Sequence, residues 1–588
     1  MAIVVATLDA LRSAASAGGR SFGLSLPMAL MLLTLLFWHW HSRRRAQRHT
    51  FPPGPTPLPL IGNLAQIDLA NPHRSFVAWK RCYGPVYTVW LPKPHVVIAG
   101  TKELDEYFVS PANAEIFADR PTHSFLYGIF NKHQPDGDGI ILARRAVAQK
   151  HRRFALGAFR QLGIHGPRGE SLVRLHVDEL VQRLAEKALH DPLLVDLHSQ
   201  FAFCIGNIIN HLVFGRNYKY NDQEFLRSKR LIERATKEVS NPQLLLVDTY
   251  PSLRFLLPAY WRYCRVGFEL QQQFLREIDA HIGQMRQRLT DQQQQQQHFE
   301  AVTEQQQQQQ TAETRKGQHN GTVQYNIMKY IKVPEANCPI AQRSAEEVPL
   351  LEQQENFIDA FLLGTQQNDW DEPAFKLSLA LCAGDLWAGG LETLVATLNW
   401  AVLYMLNYPD VQQRLHAELS DRLGGRPFRL SDRIKLPYLR AFIDELQRII
   451  NVLPWNLPHS VGQEVLLCGR WRIPANTQVM AQLGAVHLDP DLFPAPEQFR
   501  PDRFLDAQGN YCPPAWLRPF GVGKRMCLGE SLAKMELFTI LAALVQNFEF
   551  SALFPDEVPT LRRNNGLANL PDPFKCVIRL RPTEPILG

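Results

Sequence analysis

The chain has 588 residues and nine cysteines, yet no CxxC pair. An odd number cannot all pair internally, so a complete disulfide framework is excluded and reduced thiols in contact with cytosol are the simpler expectation. No GxGxxG loop followed by a strand–helix pattern is present, and no phosphate loop, so the chain carries no dinucleotide cradle of its own. Net charge is small: 63 Lys and Arg against 57 Asp and Glu leave +6. Over this length that does not argue for nucleic acid, although it is compatible with a face that docks acidic proteins or lipid headgroups. What is abundant points to a packed body. Hydrophobic residues make up 45% and aromatics 10%, which excludes a disordered, collagen-like or small disulfide-dense protein.

Leu24 to Trp40 is apolar and holds no Asp, Glu, Lys or Arg. At helical rise it covers most of a bilayer core, which needs about 20 residues. Arg43, Arg44, Arg45 and Arg48 follow it. A basic cluster on that side keeps the body cytosolic and sends the first residues to the lumen. A cleaved signal peptide would usually have a shorter core preceded by basic residues, and a mitochondrial presequence is the other alternative. The expected organisation is a tail (1–23), a transmembrane signal anchor (24–41), a basic and Pro-rich hinge (42–60) and one body (61–588). Within the hinge, Phe51 to Pro59 is too proline-dense to be helical and reads as a stiff spacer.

The body reads as mainly helical. A hairpin is expected at Val86–Trp90 and His95–Ile98, with Pro92 and Pro94 in its turn, and a second hairpin-like stretch at Val465–Ala481. Helices are expected at about Glu269–Leu289, 356–365, Glu372–Leu406 and Leu528–Asn547. Two runs of six glutamines, Gln292–Gln297 and Gln305–Gln310, open a polar stretch. It buries too little apolar surface to offset its ordering entropy, so 290–350 reads as a disordered insert, a surface loop rather than a self-association element.

Pro519 to Glu530 (PFGVGKRMCLGE) carries the strongest chemical signal. A glycine turn leads to Cys527 just ahead of an apolar helix, where a thiolate is stabilised by helix-terminal amides. Gly521, Gly523 and Gly529 allow a flat ligand close to the backbone, and Arg525 can clamp a carboxylate. One thiolate beneath a planar dianionic ligand describes haem with a proximal Cys. A buried Cys beside a glycine turn is the ordinary alternative; the complete FxxGxRxCxG spacing, which includes Phe520, selects against it.

With that motif the sequence resembles the cytochrome P-450 haem-thiolate monooxygenases of animal microsomal type, over about residues 51–290 and 350–580. The resemblance implies a mainly α fold with small β-sheets, preceded by one N-terminal transmembrane helix, and haem b on an axial thiolate from Cys527. Other motifs agree in order along the chain. Glu445 and Arg448 stand at i and i+3, where helical side chains meet; alone, ExxR usually marks a solvated pair. The resemblance adds Arg503 of Pro501-Asp502-Arg503-Phe504 and makes the three a buried structural triad. Gly389 and Gly390 sit mid-helix at a cost of about 1 kcal/mol each. A local widening there would let Thr393 hold its hydroxyl over an opened groove. Close packing and a back-bonded Thr are the alternative. The resemblance makes Thr393 and Glu392 the proton-delivering catalytic pair, floors the distal pocket with Gly389 and Gly390, with Trp387 and Leu394 nearby, and assigns the propionates to Arg152, His459 and Arg525. One departure stands out: the family often has a Trp four residues before the first Arg, where this chain has Ala148, which bears on haem affinity.

Since the chain binds no dinucleotide, electrons must come from another protein. Lys524, Arg525 and Lys534 beside the Cys loop suit an acidic flavoprotein. The resemblance names NADPH-cytochrome P-450 reductase, with cytochrome b5 as an optional donor. The implied activity is insertion of one oxygen atom from O2 into a small lipophilic substrate (fatty acid, sterol or xenobiotic) at the endoplasmic reticulum membrane, with no nucleic acid partner. The alternatives are a haem-thiolate isomerase or dehydratase that needs no reductase, and a catalytically inactive membrane haem protein.

Overall fold

The structure, a computed structural model, describes residues 50–121, 136–190, 196–317, 355–554 and 556–582. The expected tail and anchor, most of the basic part of the hinge, and residues 318–350 of the expected insert lie outside the described residues.

Among the described residues ten long helices carry the body: α1 Pro72–Tyr83, α2 Arg145–Gln161, α3 Pro167–His190, α4 Leu197–Phe214, α5 Gln223–Val239, α6 Pro258–Gly317, α7 Pro373–Asn407, α8 Pro409–Leu423, α9 Pro437–Ile450 and α10 Glu530–Asn547. Their ends follow local chemistry. Asp196 accepts from the Ser199 amide and Asp222 from those of Glu224 and Phe225, satisfying donors that a helix start leaves open. Proline begins α1, α7, α8 and α9, where its missing N–H costs nothing. Gly215, at φ 66°, closes α4 through its amide on the His211 carbonyl.

The core is built around α7. Its residues from Leu394 to Met405 are almost all buried, which matches a stretch that is apolar on every face rather than amphipathic. It packs along α4, α6, α9 and α10. Among the described residues it is the one helix long and apolar enough to cross a membrane, and here that surface is spent on the core.

Among the described residues four small sheets complete the fold. β1 (Val86–Leu91) and β2 (Lys93–Ile98) form the first hairpin. Only Pro92 lies in its turn; Pro94 pairs with Trp90 inside the ladder. β3 (His459–Ser460) and β6 (Gln478–Ala481) complete that sheet in the order β1-β2-β6-β3, with β2 and β6 parallel. β4 (Val465–Leu467) pairs with β5 (Trp471–Ile473). β7 (Phe548–Ala552) pairs with β10 (Cys576–Leu580), and β8 (Arg563–Asn565) with β9 (Asn569–Pro571).

One expectation is corrected. Residues 290–317 are not disordered: they prolong α6 as continuous helix. Gln292–Gln297 are exposed along it, and Phe299 is 72% exposed. Poor burial is what the composition implied; loss of helix does not follow from it. Glutamine is a good helix former, Gly and Pro are absent from 284–316, and extending an already nucleated helix avoids the cost of a new nucleus.

Candidate active site

The loop before α10 presents Cys527. Gly521 and Gly523 stand at φ 92° and 69°, in the region glycine tolerates best. At Gly523 the fit is also steric: a Cβ would lie 2.0 Å from the Phe108 carbonyl oxygen. This turn brings the Cys527 amide to donate to the Phe520 carbonyl at 2.8 Å. Gly529 caps α10, and its amide hydrogen-bonds the Cys527 sulfur. Cys527 is open to solvent on one side. On the other, withheld water pushes its thiol up, while the Gly529 amide and Arg152 oppose that rise. Phe520 lies under the Lys534 ammonium, 5.4 Å from the ring centroid.

Four cationic or imidazole side chains gather beside this loop. Arg525 turns inward, donating from Nε to the Ala118 carbonyl at 2.8 Å and from its two terminal nitrogens to those of Ile140 and Ala143. Arg152, on α2, donates to the Met526 carbonyl at 2.7 Å. His459, on β3, is buried with Nδ1 2.8 Å from the Phe117 carbonyl. The fourth, Arg120, was not identified in the sequence. It is 4% exposed and bonds to the carbonyls of Ile141 (3.0 Å) and Pro458 (2.7 Å). A bridge between Asp119 and Ser460 seats it beside β3. No motif marks Arg120; only the tertiary fold brings its loop to this place.

These contacts satisfy donors without neutralising charge. Burial, then Arg525 and Arg152, hold Arg120 well below its ordinary value, and burial with Arg120 and Arg525 depresses His459. Asp119 is committed to Arg144 at 2.6 Å. Mutually repelling cations around an open thiol fit a dianionic, flat, sulfur-ligated group such as haem with its propionates.

Ala148 is buried in α2. One turn on, His151 ties α2 to its surroundings: Nδ1 lies 2.8 Å from Cys382 Sγ on α7, and Nε2 3.3 Å from Asp138 Oδ1.

On α7 the two glycines have different roles. A Cβ at Gly389 would meet nothing within 4 Å, so that face is open. A Cβ at Gly390 would lie 3.0 Å from Ile209 of α4; Gly390 is a close-packing position between helices, not pocket floor. The expected widening is absent. α7 is continuous, and the Thr393 hydroxyl donates to the Gly389 carbonyl at 2.8 Å, a local bond that costs the helix little. Trp387 points to α4, donating to Asn210 Oδ1 at 2.8 Å, and Leu394 is buried. Burial and the neighbouring Glu233 raise Glu392, with His198 and Lys229 opposing. Asp385, also missed, accepts from the amides of Ile140 (2.7 Å) and Ile141 (2.8 Å), and burial pushes it up to about 6. A readable signal existed: Asp385 is, with Glu392, one of two acids within the apolar run from Leu377 to Met405.

Glu445, Arg448 and Arg503 come together. Arg448 donates to both Glu445 oxygens, at 2.7 and 2.9 Å, and Arg503 Nε to Oε1 at 3.0 Å. Of the three basic residues expected to face a redox partner, Lys524 pairs with Glu115 and Lys534 with Glu530, each at 2.6 Å, while Arg525 faces inward.

Comparison with protein families matches residues 52–331 and 327–578 to cytochrome P450. Among curated proteins, a 3-ketosteroid oxygenase of Caenorhabditis elegans is 33% identical over 530 residues, covering 89% of this chain and 79% of that protein. Cytochrome P450 2C29 of Mus musculus is 31% identical, covering 91% of this chain and 95% of its own. Cytochrome P450 2B2 of Rattus norvegicus is 30% identical, with the same two coverages.

Proposed function

The chain belongs to the cytochrome P450 family and is a monooxygenase of that family, and on this premise we propose that it oxygenates a steroid-like lipophilic substrate on a haem b held by Cys527. The observation that carries the ligand assignment is the Cys527 loop: an open thiol with an amide donor, three arginines and a histidine beside it. Bound there, haem supplies the redox chemistry that activates dioxygen.

The chain's own residues do the rest. Gly521 and Gly523 keep the loop flat and close. The Gly529 amide tempers the sulfur's basicity. Arg120, Arg152, Arg525 and His459 hold the propionates. The open face at Gly389 leaves room for the ring and substrate. Thr393 and Glu392 hold and move the protons that splitting dioxygen requires. For this the Thr393 hydroxyl must leave the Gly389 carbonyl, a small rearrangement about one side-chain torsion.

The steroid preference rests on the 3-ketosteroid oxygenase relative. NADPH-cytochrome P-450 reductase is the electron donor proposed, cytochrome b5 an optional one, and the membrane of the endoplasmic reticulum the location. The test is a spin-shift screen of purified protein against steroids, fatty acids and foreign lipophiles, with product identification in the presence of reductase. A steroid-selective shift and a product one oxygen heavier are expected. Cys527→Ala should lose the thiolate band of the reduced, carbon monoxide-bound form; its survival would overturn the ligand assignment.

A further inference from the structure

The buried stripe of α2 is nearly smooth. It consists of Ala148, His151, Ala155, Ala158 and Phe159, and His151 alone among these side chains carries polar atoms. Apolar contact has no direction, whereas a hydrogen bond sets an angle. The rotation of α2 is therefore set chiefly by what His151 touches. Its Nδ1 lies 2.8 Å from Cys382 Sγ on α7, and its Nε2 3.3 Å from Asp138 Oδ1 in the loop ahead of α2. Asp138 Oδ1 also accepts from the Ser378 hydroxyl at 2.9 Å and the Gly139 amide at 2.7 Å. Ser378, Cys382 and Asp385 stand at i, i+4 and i+7, on one face of α7, and Asp385 holds the Ile140 and Ile141 amides of the same loop. His151, Asp138 and Cys382 are all buried. Burial pushes the Cys382 thiol well up, so it keeps its proton and donates to Nδ1. Burial also holds His151 down, against the pull of Asp138. The ring is thus neutral, with its one proton on Nε2, toward Asp138.

We propose that His151 is a positioning residue of the haem cradle: held between Cys382 of α7 and Asp138, it fixes the rotation of α2 and so keeps the Arg152 guanidinium on the Cys loop. The inference rests on Arg152 serving a haem bound at Cys527, and adds what holds Arg152 in place. Arg152 is the next residue, about 100° further round the helix. It therefore faces the Cys loop while His151 faces α7, and there it donates to the Met526 carbonyl at 2.7 Å and attracts the Cys527 sulfur. Turning or sliding α2 would swing this long side chain off that carbonyl. His151 touches neither haem nor sulfur; it acts through Arg152.

The test uses full-length, haem-loaded protein and two readings: the rate of haem transfer to an acceptor apoprotein, and the reduction potential of the iron. Arg152→Met alone should speed transfer by about tenfold, the equivalent of one charge-assisted hydrogen bond. His151→Phe fills the same space with a ring that makes no hydrogen bond. It should speed transfer by about threefold or more, part of the Arg152 effect, and lower the potential, because a cation retreats from the ligating sulfur. In the Arg152→Met background His151→Phe should change neither reading. Should His151→Phe fail to fold, Asp138→Asn, which keeps the volume and removes the charge facing Nε2, carries the same two readings. Wild-type transfer and potential in the His151 or Asp138 variant would overturn the proposal. So would an equal acceleration with and without Arg152, since His151 would then act by packing alone. Unchanged transfer in Arg152→Met would instead remove Arg152 from the cradle, the reading on which the inference rests.

Discussion

Glu445→Gln is the most demanding perturbation the structure defines. The Glu445 carboxylate is fully buried and accepts from Arg448 Nε (2.7 Å) and Nη2 (2.9 Å), Arg503 Nε (3.0 Å) and the Arg500 amide (2.7 Å). Arg448 is equally buried and holds otherwise only carbonyls, that of His487 at 2.9 Å and that of Gln498 at 3.5 Å. A neutral amide leaves its guanidinium without a counter-charge and turns an NH2 toward donors. Removing one partner of such a pair costs about 3–5 kcal/mol, against about 0–1 for an exposed pair. Denaturant unfolding of wild type, Glu445→Gln, Arg448→Met and the double variant measures it. The double variant should lose less than the two single losses added, because the fully buried Arg448 charge is gone and only Arg503, less deeply buried, is left without its carboxylate. A Glu445→Gln loss below about 1 kcal/mol would refute the reasoning. So would strict additivity. Low and high salt should give the same result, since ions screen buried pairs poorly.

Gly523→Ala should destabilise the Cys loop, because its Cβ would meet the Phe108 carbonyl at 2.0 Å at a φ of 69°; haem content after purification checks this, and full occupancy with wild-type stability would contradict it. Arg120→Met should speed haem transfer to an acceptor apoprotein by about tenfold, the equivalent of one charge-assisted hydrogen bond; an unchanged rate would remove Arg120 from the cradle. Burial and Arg448 hold His487 down at about 3, whereas an unfolded histidine titrates near about 6.5. The unfolded state therefore takes up the proton first, and stability falls as pH drops from about 6.5 toward 3. His487→Gln should flatten that slope in unfolding measured across pH, and an identical slope would assign it elsewhere.

Residues close in sequence determined much by themselves. The Cys527 loop is legible because glycine, arginine and cysteine at fixed spacing impose a backbone and a charge pattern locally. The Glu445–Arg448 pair is legible for the same reason, since three residues on a helix bring side chains together. The hairpin of β1 and β2 and the apolar α7 followed from period and run length. What only tertiary structure decided concerns partners far apart along the chain. Gly389 and Gly390 are identical letters, yet one faces open space and the other touches Ile209, because a neighbouring helix covers only one of them. Arg525, expected both to clamp a carboxylate and to suit a partner protein, turns inward, as the carbonyls of Ala118, Ile140 and Ala143 lie where its donors can reach. Arg120 and Asp385 join the site through a loop that crosses the face of α7. The glutamine segment is helical because it continues α6, so it needs no nucleus of its own. Burial, like-charge crowding and helix continuation are properties of an assembled neighbourhood, and no local spacing encodes them.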